Sequence, residues 1–177
     1  MSYRTSVRGL FEALASSRTV TGEITAGDVD LGGQPFHFEE PISFEVTLTN
    51  AGTGIVAQGT ARARVLTPCS RCLCDSRLDL EAEVDGFYVL PGHDADLPEE
   101  QEAELIAEDL SIDLEPALIA AIVVELPFAP LHDEACKGIC PVCGADRNTE
   151  PCECAAPGAD SPFAALQDLH LEEDGPS

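Results

Sequence analysis

The amino-acid sequence predicts an α+β fold, in which an antiparallel β-sheet meander is covered by a helix and followed by a small cysteine-rich segment. Three features predict this architecture. Apolar and polar residues alternate with a period of two in stretches between residues 42 and 85, which is typical of half-buried strands. Apolar residues then recur at helical spacing between residues 113 and 126. Finally, five cysteines fall within the nineteen residues from Cys136 to Cys154.

The composition limits the classes of function. The chain has 177 residues, with 9 Lys and Arg against 33 Asp and Glu, so its formal net charge is −24 at pH 7. This charge excludes a free-standing nucleic-acid binder that gains affinity by covering phosphates with Lys and Arg. Hydrophobic residues make up 44% of the chain, which is enough for a packed core and too many for a disordered acidic tail.

The length fits one main domain with a small appendage. We predict a sheet domain over residues 1–130 and a cysteine-rich tail over residues 131–177 that includes a short C-terminal helix. The sequence contains no apolar run long enough to cross a bilayer and no N-terminal stretch typical of a signal peptide. We therefore expect a cytoplasmic protein that has no contact with membranes.

The predicted sheet is a meander of three strands. These strands run from Ile42 to Leu48, from Ile55 to Thr67 and from Leu78 to Asp85. Turn-forming residues separate the first two strands, and small residues in the second imply close packing against a neighbour. Upstream of the meander, residues 4–14 have the spacing of a short amphipathic helix.

An acidic loop over residues 92–104 is predicted between the sheet and the helix. Between Leu78 and Cys136 the chain has 17 acidic residues and no Lys or Arg, which concentrates negative potential in its second half. The helix then starts after Asp113 as N-cap and ends before Pro127. It is expected to cover the sheet through Leu118, Ile122 and Leu126.

The cysteine-rich segment predicts a structural zinc site. Cys140 and Cys143 have two residues between them and precede Gly144, which is the spacing of a zinc knuckle. Cys152 and Cys154 can complete a tetrahedral set across a short hairpin. The predicted Zn²⁺ ligands are therefore Cys140, Cys143, Cys152 and Cys154. Since four thiolates leave no open position on the metal, such a site braces the fold and does not catalyse.

An upstream pair of cysteines keeps a second ligand set open. Cys69 and Cys72 also have metal-ligand spacing, and Cys74 follows closely. The alternative site joins Cys69 and Cys72 to Cys140 and Cys143, which would pin the tail to the sheet.

His132 is a further candidate ligand near Cys136. A single His beside Asp133 is, however, more typical of the surface. The sequence assigns no role to Cys136 or Cys74.

Two other function classes use the same cysteines. Cys69 and Cys72 could form the redox pair of a thiol oxidoreductase, although they lie between two strands and not at the start of a helix. The cysteines could also serve zinc storage or delivery. The sequence contains no nucleophile elbow, zinc-protease motif or phosphate-binding loop, so we expect no enzyme.

Four motifs follow one another along the second part of the chain. They are Cys69-Ser-Arg-Cys72-Leu, Glu125-Leu-Pro-Phe-Ala-Pro-Leu131, Cys136-Lys-Gly-Ile-Cys140-Pro-Val-Cys143-Gly and Ser161-Pro-Phe-Ala-Ala-Leu166. In this order they resemble the YceD family, whose members are called large ribosomal RNA subunit accumulation proteins. The resemblance implies a bacterial or plastid factor in ribosome biogenesis that is needed for normal levels of large-subunit ribosomal RNA. Some relatives lack the C-terminal cysteines, which favours a self-contained distal site.

The charge indicates the kind of partner. We expect a non-enzymatic assembly factor whose acidic surface binds basic ribosomal or rRNA-processing proteins, since like charges repel RNA. The candidate partner surface consists of Asp94, Asp96, Glu99, Glu100, Glu102, Glu104 and Glu108. Candidate local RNA contacts are Arg62, Arg64, Arg71 and Arg77. No small-molecule substrate is expected.

Overall fold

The structure of the protein, a computed structural model, describes residues 3–92 and 103–154. These residues form nine β-strands, one short 3-10 helix and one α-helix. In chain order the elements are β1 (Arg4–Ser6), the 3-10 helix (Arg8–Glu12), β2 (Ser17–Ile24), β3 (Val29–Leu31), β4 (Gln34–Phe38), β5 (Ile42–Asn50), β6 (Ile55–Pro68), β7 (Asp75–Val89), β8 (Glu104–Leu105), β9 (Ser111–Asp113) and α1 (Glu115–Glu125).

The main sheet is built around the predicted meander of β5, β6 and β7. Both pairings in it are antiparallel, and Gly59 of β6 lies between Val46 of β5 and Val84 of β7. The apolar side chains of β5 alternate inward, so that Ile42 and Val46 are fully buried. The predicted α+β class and its antiparallel meander are therefore confirmed.

The remaining strands extend the sheet at both sides of the meander. Strand β2 pairs with the outer edge of β5, and β4 pairs with β6 beyond the end of β5 and carries β3. On the far side, the short β8 adds to β7 in parallel. Strand β2 was not predicted, because seven of its eight residues are at least partly exposed and no apolar alternation marks it.

The predicted N-terminal helix over residues 4–14 is wrong. Residues Arg4–Ser6 form β1, which pairs with β9 more than one hundred residues later, and only Arg8–Glu12 turn into a 3-10 helix. Val7 and Leu10 are buried in the main core, so the apolar residues in this stretch are explained by core packing and not by a helical face. A partner strand far along the chain overrides the local helical pattern.

Helix α1 forms where it was predicted and covers the sheet. Asp113 Oδ1 accepts a hydrogen bond from the backbone N–H of Glu115 at 3.0 Å, so it supports the first turn although the helix starts one residue later than an N-cap at Asp113 implies. The helix ends at Glu125, before Pro127. Leu118 and Ile122 are fully buried against the core of β5, β6 and β7.

Several predicted features fall on residues that the structure does not describe. The acidic loop over 92–104 is described only at its two ends, where Glu104 begins β8, and the short C-terminal helix lies outside the described residues altogether. Within the described ranges, no helix combines the length and apolar character that a membrane span requires.

Candidate metal centres

Two groups of four side chains bring their ligand atoms within 4.8 Å of one another, and each group could hold a metal ion. The first centre consists of Cys69, Cys72, His132 and Cys136. The second centre consists of Cys140, Cys143, Cys152 and Cys154.

The second centre contains the four cysteines that the spacing predicted. Cys140 is buried and Cys143 is exposed at the tip of the turn. Backbone N–H groups of Cys143 and Val142 point at the sulfur of Cys140 and, with a hydrogen bond from Cys152, lower the pKa of its thiol to about 6. Contact with the Cys143 side chain raises the pKa of Cys154 to about 12. The Cys140 thiol thus ionises easily, whereas the Cys154 thiol keeps its proton until a bound cation offsets the added negative charge.

The first centre joins two distant parts of the chain. Cys69 and Cys72 lie in the turn between β6 and β7, whereas His132 and Cys136 follow α1. His132 Nδ1 lies 3.4 Å from the sulfur of Cys69 and 3.4 Å from that of Cys72. The sulfurs of Cys69 and Cys136 are 3.9 Å apart.

The thiols of the first centre are also electrostatically coupled. Burial raises the pKa of Cys69, but hydrogen bonds from His132 and from the backbone N–H groups of Arg71 and Cys72 outweigh it and lower the pKa to about 5. A backbone hydrogen bond from Cys74 lowers the pKa of Cys72, but contact with the Cys74 thiol and burial raise it to about 12. In the first centre, as in the second, one thiol therefore has a lowered pKa and another has a raised pKa.

The turn that carries Cys69 and Cys72 has a specific set of backbone hydrogen bonds. The N–H of Cys69 donates to the carbonyl of Cys74 at 2.8 Å, and the N–H of Leu73 donates to the carbonyl of Cys69 at 2.9 Å. Leu73 has a positive φ of 62°. In this turn the N–H groups of Arg71 and Cys72 face the sulfur of Cys69.

The turn that carries Cys140 and Cys143 repeats this pattern. The N–H of Cys140 donates to the carbonyl of Ala145 at 2.8 Å, and the N–H of Gly144 donates to the carbonyl of Cys140 at 2.9 Å. Gly144 has a φ of 76°, a backbone conformation that glycine adopts without strain. The protein therefore contains two copies of one knuckle turn, and the leucine at the glycine position of the first copy concealed the repeat in the sequence.

Arg71 connects the two turns. Its Nη1 donates to the carbonyls of Glu134 at 3.2 Å and Cys136 at 2.9 Å, and its own carbonyl accepts the N–H of Ile139 at 2.9 Å. A Cβ on Gly138 would lie 3.0 Å from the same carbonyl, so the segment between the two centres packs closely on Arg71. The side chain predicted as an RNA contact thus holds backbone atoms of the first centre.

The structure does not bring together the alternative set that joins the two Cys-x-x-Cys pairs. Cys69 and Cys72 group with His132 and Cys136 instead, because the chain after α1 reaches the β6–β7 turn before it enters the second knuckle. There the N–H of Ser70 donates to the carbonyl of Pro130 at 2.8 Å. His132 is exposed, as expected for a single His beside Asp133, and it is also placed as a candidate ligand, because its Nδ1 lies 3.4 Å from the sulfurs of Cys69 and Cys72. The four-residue step from His132 to Cys136, which made His132 a candidate ligand in the sequence, is typical of a metal-ligand pair.

The other candidate RNA contacts lie on the exposed face of the sheet and are paired with carboxylates. The pairs, with N–O distances between 2.7 and 3.2 Å, are Arg62 with Glu81, Arg64 with Asp79 and Glu40, and Arg77 with Glu39.

Of the candidate partner surface, the structure describes only the last two residues. Glu104 and Glu108 are both exposed, and partial burial together with the nearby Asp113 raises the pKa of Glu104. The positions from Asp94 to Glu102 lie outside the described residues.

Comparison with known proteins identifies the family. Proteins described as uncharacterized from Mycobacterium tuberculosis and Mycobacterium bovis are each 29% identical to this chain over 110 residues, which cover 62% of this chain and 53% of each relative. A Mycobacterium leprae protein with the same description is 29% identical over 111 residues, 63% of this chain and 51% of its own length. The chain thus spans about half the length of these relatives. No solved structure matches significantly. The family described as large ribosomal RNA subunit accumulation protein YceD matches residues 57–170, from near the start of β6 through both centres, and the chain therefore belongs to the YceD family.

Proposed function

We propose that this protein is a non-enzymatic factor in ribosome biogenesis, which supports the accumulation of large-subunit ribosomal RNA by binding a basic ribosomal or rRNA-processing protein. The observation that carries the proposal is its membership of a family described by large ribosomal RNA subunit accumulation. The distribution of charge on the chain then favours a protein partner over direct binding to RNA.

The arginines of the sheet are poorly placed to attract RNA. Arg62 donates two hydrogen bonds of 3.0 Å to the carboxylate of Glu81, and the neighbouring arginines on this face have carboxylate partners too. Such exposed pairs add little stability, but they cancel the positive potential that phosphates would need. With a net charge of −24 around them, these side chains release few counterions on meeting RNA.

A basic protein is the better electrostatic partner. Ribosomal proteins that bind RNA carry an excess of Lys and Arg, which this chain lacks, and opposite charges accelerate and orient association. The strength of such binding falls as salt screens the charges, with a screening length of about 10 Å at 0.1 M ionic strength. In this proposal the cysteine centres brace the end of the fold and carry out no turnover.

A pull-down with the immobilised full chain tests the partner class. Purified large-subunit ribosomal proteins and deproteinised ribosomal RNA are offered separately at ionic strengths from about 0.05 to about 0.5 M. We expect retention of a basic protein that weakens with salt, and no retention of RNA. Retention of RNA without any ribosomal protein would overturn the proposal.

Matched charge variants test the location of the surface. The triple variant Glu99→Gln, Glu100→Gln and Glu102→Gln is compared with Glu12→Gln, Glu23→Gln and Glu45→Gln, which removes the same charge from exposed positions elsewhere. We expect a larger loss of binding for the first variant. Equal losses would show that net charge matters and that this surface does not.

In cells depleted of the protein, the ratio of large- to small-subunit ribosomal RNA should fall.

A further inference from the structure

We propose that the first centre is a second zinc site, in which Cys69, Cys72, Cys136 and the Nδ1 atom of His132 are the four ligands. This site is separate from the four-cysteine site that the sequence predicts. It rests on the geometry around the β6–β7 turn and is independent of the proposed role in ribosome biogenesis.

The distances in the first centre match a tetrahedral zinc site. Zn–S bonds of about 2.3 Å and Zn–N bonds of about 2.0–2.1 Å place two sulfur ligands about 3.8 Å apart, and a sulfur and a nitrogen about 3.6 Å apart. The sulfurs of Cys69 and Cys136 are 3.9 Å apart, and His132 Nδ1 is 3.4 Å from the sulfurs of Cys69 and Cys72. Three edges of the tetrahedron thus agree within a few tenths of an ångström.

The same test excludes Cys74 as the fourth ligand. Its sulfur lies 3.1 Å from that of Cys72, which is shorter than the separation of two thiolates on one zinc ion. Cys74 is also exposed, whereas Cys69, Cys72 and Cys136 are at most 8% exposed. The choice of His132 over Cys74 gives a site with three thiolates and one imidazole, which is a common structural zinc set.

Hydrogen-bond donors surround the sulfur ligands, as they do in structural metal sites. Backbone N–H groups of Arg71 and Cys72 face the sulfur of Cys69, and the Asn148 side-chain amide lies 3.5 Å from the sulfur of Cys136. Such donors stabilise thiolates and orient them around a metal. The N–H groups occupy the same places as those of Val142 and Cys143 around Cys140 in the predicted zinc site.

A zinc ion at this place would join the end of the sheet to the chain after α1. Ser76 already donates to the carbonyl of Leu131 at 3.1 Å, and Leu131 and Ile139 pack on the buried cysteines. Arg71 adds hydrogen bonds to the carbonyls of Glu134 and Cys136, and a metal ion would add to these contacts by bonding to both parts of the chain at once.

The number of zinc ions decides between one site and two. Native mass spectrometry of the full chain, purified with a thiol reductant, is expected to find two zinc ions per molecule. The variants His132→Ala and Cys152→Ser should each retain one. The controls His37→Ala, whose side chain pairs with Asp28 and belongs to neither centre, and Cys74→Ser should retain two. A wild-type chain with one zinc ion, unchanged by His132→Ala, would overturn the proposal.

The ligands of the remaining zinc in each variant distinguish the two sites. X-ray absorption of Cys152→Ser should show three sulfurs and one nitrogen around zinc, and that of His132→Ala should show four sulfurs. If either variant fails to fold, the wild-type spectrum still decides, because two zinc ions in these centres average seven sulfurs to one nitrogen. Zinc bound through sulfur alone in the wild type would contradict the site. None of these results depends on whether the protein binds a ribosomal protein.

Discussion

Leu73 and Gly144 occupy the same position in the two knuckle turns, each donating its backbone N–H to the carbonyl of the first cysteine of its turn at 2.9 Å. Both have a positive φ, 62° for the leucine and 76° for the glycine. The left-handed conformation costs a residue with a side chain about 1–2 kcal/mol, and glycine escapes most of this cost. The two turns therefore share a geometry but carry different backbone strain.

Exchanging the residue at this position should have opposite effects in the two turns. We expect Leu73→Gly to raise the free energy of unfolding by up to about 1 kcal/mol, after the entropy that glycine adds to the unfolded chain is subtracted. Gly144→Ala should lower it by about 1 kcal/mol. Urea denaturation of the metal-loaded protein measures both. Leu73→Ala is the control, because it removes the same exposed side chain and keeps the strain; a gain in that variant equal to the gain in Leu73→Gly would contradict the argument.

Removing the metal should loosen the end of the chain and leave the sheet folded. The region from Cys136 to Cys154 has few buried apolar side chains, whereas β5, β6 and β7 share a continuous core with α1. A chelator with a thiol reductant should therefore increase amide hydrogen exchange in residues 131–154 and in the β6–β7 turn. Mass spectrometry of peptides locates the change. Equal loss of protection throughout β5 and β6 would show that the metal supports the whole fold.

Arg71 should matter for metal affinity in a way that Arg62 does not. Arg71 holds two backbone carbonyls beside Cys136, whereas Arg62 pairs with Glu81 on the open face of the sheet. Loss of a group that orients a ligand weakens metal binding by about 10–100-fold. We expect Arg71→Ala to fall at the lower end of this range and Arg62→Ala to bind metal as the wild type does. Titration with a competing chromophoric chelator compares the two variants. Identical affinities would show that Arg71 does not position the ligands of the first centre.

The reactivity of the thiols should separate a structural role from a redox role. In the metal-loaded chain, the exposed Cys74 should react first with iodoacetamide at neutral pH, while the buried Cys69 is protected. Mass-resolved mapping of alkylated cysteines at graded times makes the comparison. Rapid alkylation of Cys69 in freshly isolated protein would instead favour the thiol oxidoreductase.

Gly59 should tolerate no side chain. A Cβ at this position would lie 2.0 Å from the carbonyl oxygen of Glu45 on the neighbouring strand, so β5 and β6 would have to separate. We expect Gly59→Ala to destabilise the protein by about 3 kcal/mol or more. Gly27→Ala is the matched control, because nothing lies within 4 Å of a Cβ there and the residue is exposed. Urea denaturation curves give both values, and equal midpoints would refute the close approach.

The meander, the helix and the ligand set of the second centre were predictable from the sequence, because the signals for each lie within one short stretch of chain. The alternation in β5 specifies which residues face the core, and Pro127 limits α1. The ligands of the second centre all lie between Cys140 and Cys154, so their spacing predicted that they meet, although it also left open a set shared with Cys69 and Cys72. The family follows from the same local motifs.

Contacts between parts that are far apart in the chain became apparent only in the folded structure. The apolar spacing around Leu10 suggested a helix, but β1 pairs with β9 and the leucine is buried in the core. His132 lies sixty residues after Cys72, and no sequence pattern shows that α1 returns the chain to the β6–β7 turn. A ligand set that spans such a distance depends on how the helix packs on the sheet. The first centre as a complete set of four ligands could therefore be identified only from the folded structure.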